Sequence, residues 1–255
     1  LTHHLKNFNT GSIFFYTHLN EVIKISKDKI LYSSHHLSHC LYGSLYVDNI
    51  NDYAFVSCDG VGEGETMTIY TINSENLIKK HWTNFYPNSI GLFYSTITDF
   101  LGFDINEGEF KVMSLSSYGN PIYEKEMERI FDCEQLKINS SYFEFQKNPE
   151  RSFSEIIIKI FGKPYLNLNI KENFQKYSNI ASSAQLILKK SVKNLILKAK
   201  QLTGKNKIVL TGGVALNCKM IHELSKQNIF EELIVPPSPG DFGLSNRSCK
   251  FFIFL

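Results

Sequence analysis

Lys207-Ile-Val-Leu-Thr211-Gly212-Gly213-Val-Ala-Leu-Asn217 carries the organising signal of this 255-residue chain. A short apolar run rich in β-branched residues predicts a buried strand over 207–211, and the two glycines predict a tight turn. A helix follows over 216–227, then a second strand at Leu233-Ile-Val235. Strand, glycine loop, helix and strand in that order are the grammar of an α/β nucleotide-binding lobe. The backbone N–H groups of Gly212 and Gly213 would approach a phosphate there, with a helix N-terminus favouring the negative charge. The segment is neither G-x-x-x-x-G-K-[ST] nor G-x-G-x-x-G, so an ordinary turn stays open as the alternative. Asn217 can hydrogen-bond a ribose or phosphate, or simply cap the helix.

Working outward, residues 177–202 predict one long helix through Ile180, Ala184, Ile187, Leu188, Val192, Leu195 and Ile196, ended by Gly204. Toward the N-terminus, 12–25 show helical spacing, and Ser33 and Ser34 can cap a helix carrying His35, His36 and His39. Tyr53–Gly60, Thr66–Ile72 and Leu77–Thr83 predict three strands, with a turn at 73–76, as an antiparallel or mixed meander. Ser89 caps a helix over 90–101 that Gly102 stops, and a further helix runs from Pro121 through Phe131. Residues 133–150 alternate weakly, as a peripheral insertion would, and 152–161 predict a short helix.

At 43% hydrophobic and 20% charged residues, the chain can bury a sizeable core. Lys+Arg of 27 against Asp+Glu of 25 leaves +2, which argues against a dedicated nucleic-acid binder. The 5 cysteines, Cys40, Cys58, Cys133, Cys218 and Cys249, are odd in number and form no CxxC pair. A disulfide framework or cysteine zinc site is therefore not expected, and a reducing, cytoplasmic setting is the default. No apolar run reaches the ~18 residues that span a bilayer, so no membrane role is expected. The chain opens on Leu1 without a targeting signal, which reads as a fragment.

Four groups of residues carry possible chemistry. In His35-His36-Leu-Ser-His39, His35 and His39 fall one helical turn apart on one face, where two imidazoles can grip a metal ion. The alternative is a surface histidine cluster. The protease pattern H-E-x-x-H places a glutamate where His36 stands, so metal-dependent peptide hydrolysis loses support. Asp59 and Asp241 each end a predicted strand, at the tips where α/β sites lie. Each can instead be a turn former. Two histidines with one or two carboxylates make an N/O site suited to Fe, Mn or Zn. The loop Asp59-Gly-Val-Gly-Glu63-Gly-Glu65-Thr66 can present Asp59 to a metal and Thr66 to a phosphate, or be an ordinary hairpin loop. Lys111, a cation in the apolar stretch Glu109-Phe-Lys-Val-Met113, can contact a phosphate or pair with Glu109 or another acid.

Seven segments occur in one order: Ser34-His-His-Leu-Ser-His39, Cys58-Asp-Gly-Val-Gly-Glu63, Pro87-Asn-Ser-Ile-Gly-Leu-Phe-Tyr94, Gly108-Glu-Phe-Lys-Val-Met113, Ser117-Tyr-Gly-Asn-Pro121, Thr211-Gly-Gly-Val-Ala-Leu-Asn-Cys218 and Pro236-Pro-Ser-Pro-Gly-Asp241. That order resembles the ATP-dependent O-carbamoyltransferases of nodulation-factor and antibiotic tailoring, over about residues 30–245. Their main domain is similar to the tRNA threonylcarbamoyl transferases. The resemblance implies an α/β, actin-like fold of the sugar-kinase and Hsp70-like ATPase type, incomplete here, with mixed sheets flanked by helices. It divides the chain into a metal-binding lobe with a helical insertion, 30–175, and a nucleotide-binding lobe, 176–245, with the C-terminal adenylate-forming domain absent. It further implies carbamoyl transfer from carbamoyl-adenylate, made from carbamoyl phosphate and ATP by that missing domain, to a hydroxyl of a sugar or other small molecule. Its matching metal ligands are His35, His39, Asp59 and Asp241, and its nucleotide loop matches Gly212, Gly213 and Asn217. Lys111 is a further candidate for catalysis. The chain departs from the family before residue 30 and after Gly243, so truncation at both ends is expected. Ser114-Leu-Ser-Ser117 replaces Gly-Leu-Ala-Pro, and Tyr165 stands where arginine is common. An inactive fragment, or a module that binds nucleotide or metal without turnover, is the alternative.

Overall fold

The computed structural model of the chain describes Lys24 and residues 33–145, 148, 151–164 and 170–244. The helix expected over 12–25, Tyr165 and Cys249 lie outside the described residues.

Helix α1, His35–Gly43, precedes three strands, β1 (Tyr53–Gly62), β2 (Glu65–Ile72) and β3 (Ile78–Phe85). Helices α2 (Ile90–Phe100), α3 (Glu109–Leu115) and α4 (Glu124–Ile130) follow. A two-stranded ribbon, β4 (Phe131–Asp132) and β5 (Lys137–Ile138), opens the segment expected as an insertion, and helix α5 (Glu155–Phe161) falls within the short helix expected over 152–161. The chain ends with α6 (Ile170–Thr203), β6 (Lys207–Thr211), α7 (Cys218–Ser225), β7 (Glu232–Ile234) and α8 (Asp241–Leu244).

One mixed sheet of order β3-β2-β1-β6-β7 organises these elements. β1–β2 and β2–β3 pair antiparallel, whereas β1–β6 and β6–β7 pair parallel. β1 is the hinge between the two patterns. Its first six residues, Tyr53–Cys58, are all buried, the continuous apolar run of a strand covered on both faces. Ala54, Val56 and Cys58 face a core built with Phe93 and Ile97 of α2 and Ile180, Ala184, Ile187 and Leu188 of α6. Tyr53 and Phe55 face the other way, onto Cys40 and Leu41 of α1 and Val209 of β6. The α6 residues recur at three- and four-residue intervals, so the helix buries one stripe along the sheet.

Helix boundaries follow local chemistry. Ser89 caps α2 by accepting the Leu92 N–H at 3.1 Å. Gly102 and Gly204 take positive φ, 77° and 71°, just past α2 and α6. The helix expected over 216–227 is split. A 3₁₀ turn, Gly213–Leu216, comes first, and α7 begins only at Cys218, because the Asn217 side chain caps it through the Met220 N–H at 2.9 Å. Cys40, Cys58 and Cys133 are buried free thiols and Cys218 is an exposed one. Among the described residues no helix is long and apolar enough to cross a membrane.

Candidate metal centre and cleft

The parallel pairing of β1 with β6 ends at Ser57 and Thr211. Asp59 and Gly212-Gly213 therefore leave the sheet side by side at its carboxyl edge, where α/β sheets hold ligands. Between Cys58 and Gly62 the β1–β2 ladder loses register, which frees Asp59 to turn out of the strand. The start of α2 is pressed against this point. The Ser89 hydroxyl donates to the Asp59 carbonyl at 3.0 Å, and a Cβ on Gly91 would lie 2.8 Å from that oxygen. Gly212 sits at φ 91°, and a Cβ there would come within 2.2 Å of the Cys58 carbonyl, so only glycine fits.

His35 and His39 project from one face of α1 toward Asp59. His39 Nε2 is 3.0 Å from Asp59 Oδ2, 3.4 Å from Asp241 Oδ1 and 3.2 Å from His35 Nε2. His35 Nε2 is 3.3 Å from Asp59 Oδ2 and 3.4 Å from Asp241 Oδ1. One ligand atom from each of these four residues lies within 4.8 Å of all the others. A single N–H on either ring cannot satisfy so many neighbours at once. Ligands held ~2.1 Å from one ion, the usual distance for imidazole and carboxylate donors, sit ~3.0–3.4 Å apart when roughly 90–110° separate them. The His–His and His–Asp separations of 3.0–3.4 Å match that range, and the N/O donor set suits Fe, Mn or Zn.

The electrostatics agree. Burial opposes ionisation of Asp59, but the hydrogen bonds from His35 and His39 outweigh it and hold the carboxyl far below the usual carboxylate range. The bond to Asp59 raises the pKa of His35 against the effect of its own burial. His39 is fully buried, whereas the Asp241 side chain is 70% exposed. His36 belongs to a different environment. Its Nε2 donates to the Glu65 carbonyl at 3.1 Å, Thr68 Oγ1 lies 3.3 Å from Nδ1, and burial lowers its pKa to about 4. It is a neutral core histidine.

A cleft of about 790 Å³ opens from the cluster, lined by Asp59, Tyr94, Lys111, Gly213, Asn217 and Asp241 among others. That is large enough for a nucleotide-sized ligand. Within it the glycine loop differs from the expectation. The Gly212 N–H donates to the Pro239 carbonyl at 2.8 Å, so Gly212 ties the loop before Asp241 and does not offer its N–H to a phosphate. Gly213 is the glycine that lines the cleft, and a Cβ there would stand 3.0 Å from Asp59 Oδ1. Asn217 performs its capping role. Its amide also pairs with Gln185 at 2.8 and 3.0 Å, and the Tyr94 hydroxyl donates to Gln185 at 2.8 Å.

Lys111 does not pair with Glu109. The Glu109 carboxylate instead accepts from the Ser95 hydroxyl at 2.7 Å and the Asn106 N–H at 3.0 Å. The Lys111 ammonium lies 5.6 and 5.8 Å from the Phe103 and Phe110 rings at the cleft wall and forms no ion pair among the described residues. Thr66 is not at the site: its buried hydroxyl donates to the Asn88 carbonyl. Gln185 and Tyr94 were missed by sequence reasoning. The signals were a glutamine one position from the apolar stripe of α6 and the place of Tyr94 at the end of the segment 87–94.

The family model described as the carbamoyltransferase N-terminus matches residues 6–246, starting earlier than the motifs, which begin near residue 30. An uncharacterized protein of Synechocystis sp. is 31% identical over 222 residues, covering 84% of this chain and 35% of that protein. Nodulation protein NolNO of Sinorhizobium fredii is 25% identical over 221 residues, covering 86% of this chain and 31% of that protein. The chain thus spans about a third of the length of these curated relatives. Among solved structures, the activator of the 2-hydroxyisocaproyl-CoA dehydratase from Clostridium difficile, with bound ADPNP, aligns with a TM-score of 0.48 and 14% identity over 97% of this chain and 85% of that one.

Proposed function

The chain belongs to the carbamoyltransferase N-terminus family, and from that premise we propose that it holds the metal-bearing part of an enzyme that moves a carbamoyl group from carbamoyl-adenylate to a hydroxyl of a sugar or other small molecule. The observation that carries this is the convergence of His35, His39, Asp59 and Asp241 at one end of a glycine-lined cleft. Residues 30–175 supply the two histidines, Asp59 and Lys111 in this assignment. Residues 176–245 supply Gly213, Asn217 and Asp241. The sheet geometry is compatible with an actin-like lobe. Carbamoyl phosphate and ATP would be consumed by a separate adenylate-forming domain.

Transfer joins the acceptor oxygen to the carbamoyl carbon and breaks the bond from that carbon to the phosphate oxygen of AMP. The hydroxyl loses its proton, and AMP departs as an anion. A divalent ion held by the four ligands would act as a Lewis acid toward that phosphate. Gly213 lets the phosphate approach Asp59 and the cluster without a side chain between them. Lys111, a cation on the cleft wall, balances the charge of the adenylate. Tyr94, Gln185 and Asn217 lock α2, α6 and α7 together beneath the ligand. Holding the acceptor oxygen beside the carbamoyl carbon supplies much of the remaining acceleration.

The test incubates the metal-loaded chain with synthetic carbamoyl-adenylate and a panel of polyols, with product read by mass spectrometry. Carbamate ester is expected from the wild type, and none from His39→Ala, whose metal content falls. Adenylate bound but not consumed would instead identify a binding module. Metal content unchanged in both His35→Ala and His39→Ala would remove the metal site.

A further inference from the structure

Asp241 is held differently from the other three ligands. His35 and His39 share α1, and Asp59 is fixed by β1, the Gly60 N–H at 2.7 Å and the start of α2. Asp241 opens the four-residue helix α8, with most of its side chain in solvent. Besides the Gly212–Pro239 bond, α8 is placed by the buried side chain of Tyr42, three residues beyond His39 in α1. The Tyr42 hydroxyl accepts the Ser238 N–H at 3.3 Å. A Cβ on Gly243 would lie 2.8 Å from Tyr42 Cε1 and Cζ, so the ring packs flush against the α8 backbone two residues past Asp241. Tyr46 steadies the ring in turn, with its hydroxyl 3.2 Å from that of Tyr42 and the two rings edge to face.

We infer that Tyr42 is a positioning residue that brings the Asp241 carboxylate to the metal. α1 then supplies two ligands directly and sets a third through the Tyr42 ring. This rests on the metal site proposed above. The coupling is mechanical: the Ser238 bond and the Gly243 contact bracket Asp241 from both sides, beside the Gly212–Pro239 bond that ties the same loop, so loss of a Tyr42 contact loosens α8 while α1 and Asp59 stay in place.

The experiment titrates cobalt(II) into the full chain, reading affinity by chelator competition and ligand geometry from the visible spectrum. Tyr42→Phe deletes the hydroxyl and keeps the ring. Tyr42→Leu deletes the ring. Partners that orient a metal ligand typically contribute about 10–100-fold in affinity. Tyr42→Leu should therefore weaken cobalt binding by at least about tenfold, and Tyr42→Phe by about fivefold, the share of one neutral hydrogen bond. Both spectra should shift toward that of Asp241→Ala. In the Asp241→Ala background, Tyr42→Leu should change affinity less than about twofold, since the ligand it places is gone. An equal loss in both backgrounds, or no loss in either, overturns the inference. If Tyr42→Leu does not fold, as judged by circular dichroism of the metal-free protein, the same comparison with Tyr42→Phe decides. A wild type that binds cobalt with indifferent Tyr42 variants refutes the role of Tyr42 alone. A wild type that binds none refutes the metal site and this inference together.

Discussion

Substituting His36 by glutamine should flatten the acid side of the stability profile. His36 is neutral in the fold, with Nε2–H donating to the Glu65 carbonyl and the Thr68 hydroxyl against Nδ1. Burial lowers its pKa from 6.5 to about 4. The unfolded chain therefore binds a proton near pH 6.5 that the folded chain refuses until about pH 4. Stability is fully present above the unfolded value and is lost as pH falls through that window. Between pH 7 and pH 5 the loss from this one ring is about 2 kcal/mol, and it reaches about 3 kcal/mol below the folded pKa. Urea unfolding of the metal-free wild type and of His36→Gln, at pH 7 and pH 5, isolates the effect, because every other titrating group is common to both. The wild type should lose about 2 kcal/mol more than the variant over that step. A difference that stays constant from pH 7 to pH 5 would mean that the ring is solvated or charged in the fold, and the assignment of His36 to the core would fail.

Two further outcomes follow from the cleft. Gly212→Ala should destabilise the chain by about 3 kcal/mol or more in chemical unfolding, since its Cβ meets the Cys58 carbonyl at positive φ. Gly60→Ala, with nothing near its Cβ position, should change stability by less than about 1 kcal/mol; equal effects would refute the close crossing. Lys111→Ala should weaken AMP binding by about tenfold in calorimetry while leaving metal content unchanged, as loss of one charge-assisted contact predicts. Unaltered AMP affinity would remove Lys111 from the nucleotide's surroundings.

Features that depend on near neighbours in the chain were readable. The i, i+4 spacing of His35 and His39, the apolar run of β1 ending at Asp59, and the stripe of α6 each predicted what the structure contains, because each is a property of a single element. The Ser89 cap was legible for the same reason. Features made by two distant segments were not. Gly212 looked like a phosphate-binding glycine, but its N–H is taken by Pro239, a choice set by how two loops meet. The same limit applies to Glu109, whose carboxylate is claimed by Ser95 of α2 before Lys111 can reach it. Asn217 offered two roles in the sequence, and the buried Gln185 amide favours the structural one.

The order in which the sheet is assembled has a consequence for synthesis. β1 gains its parallel neighbour only when β6 is made, long after the β1–β2–β3 hairpins leave the ribosome. Until then one edge of an apolar strand lies open, a hazard for a nascent chain. His35, His39 and Asp59 are made close together, and Asp241 only after β6 and β7. All four side chains can therefore meet only after β6 has paired with β1 and α8 has been made.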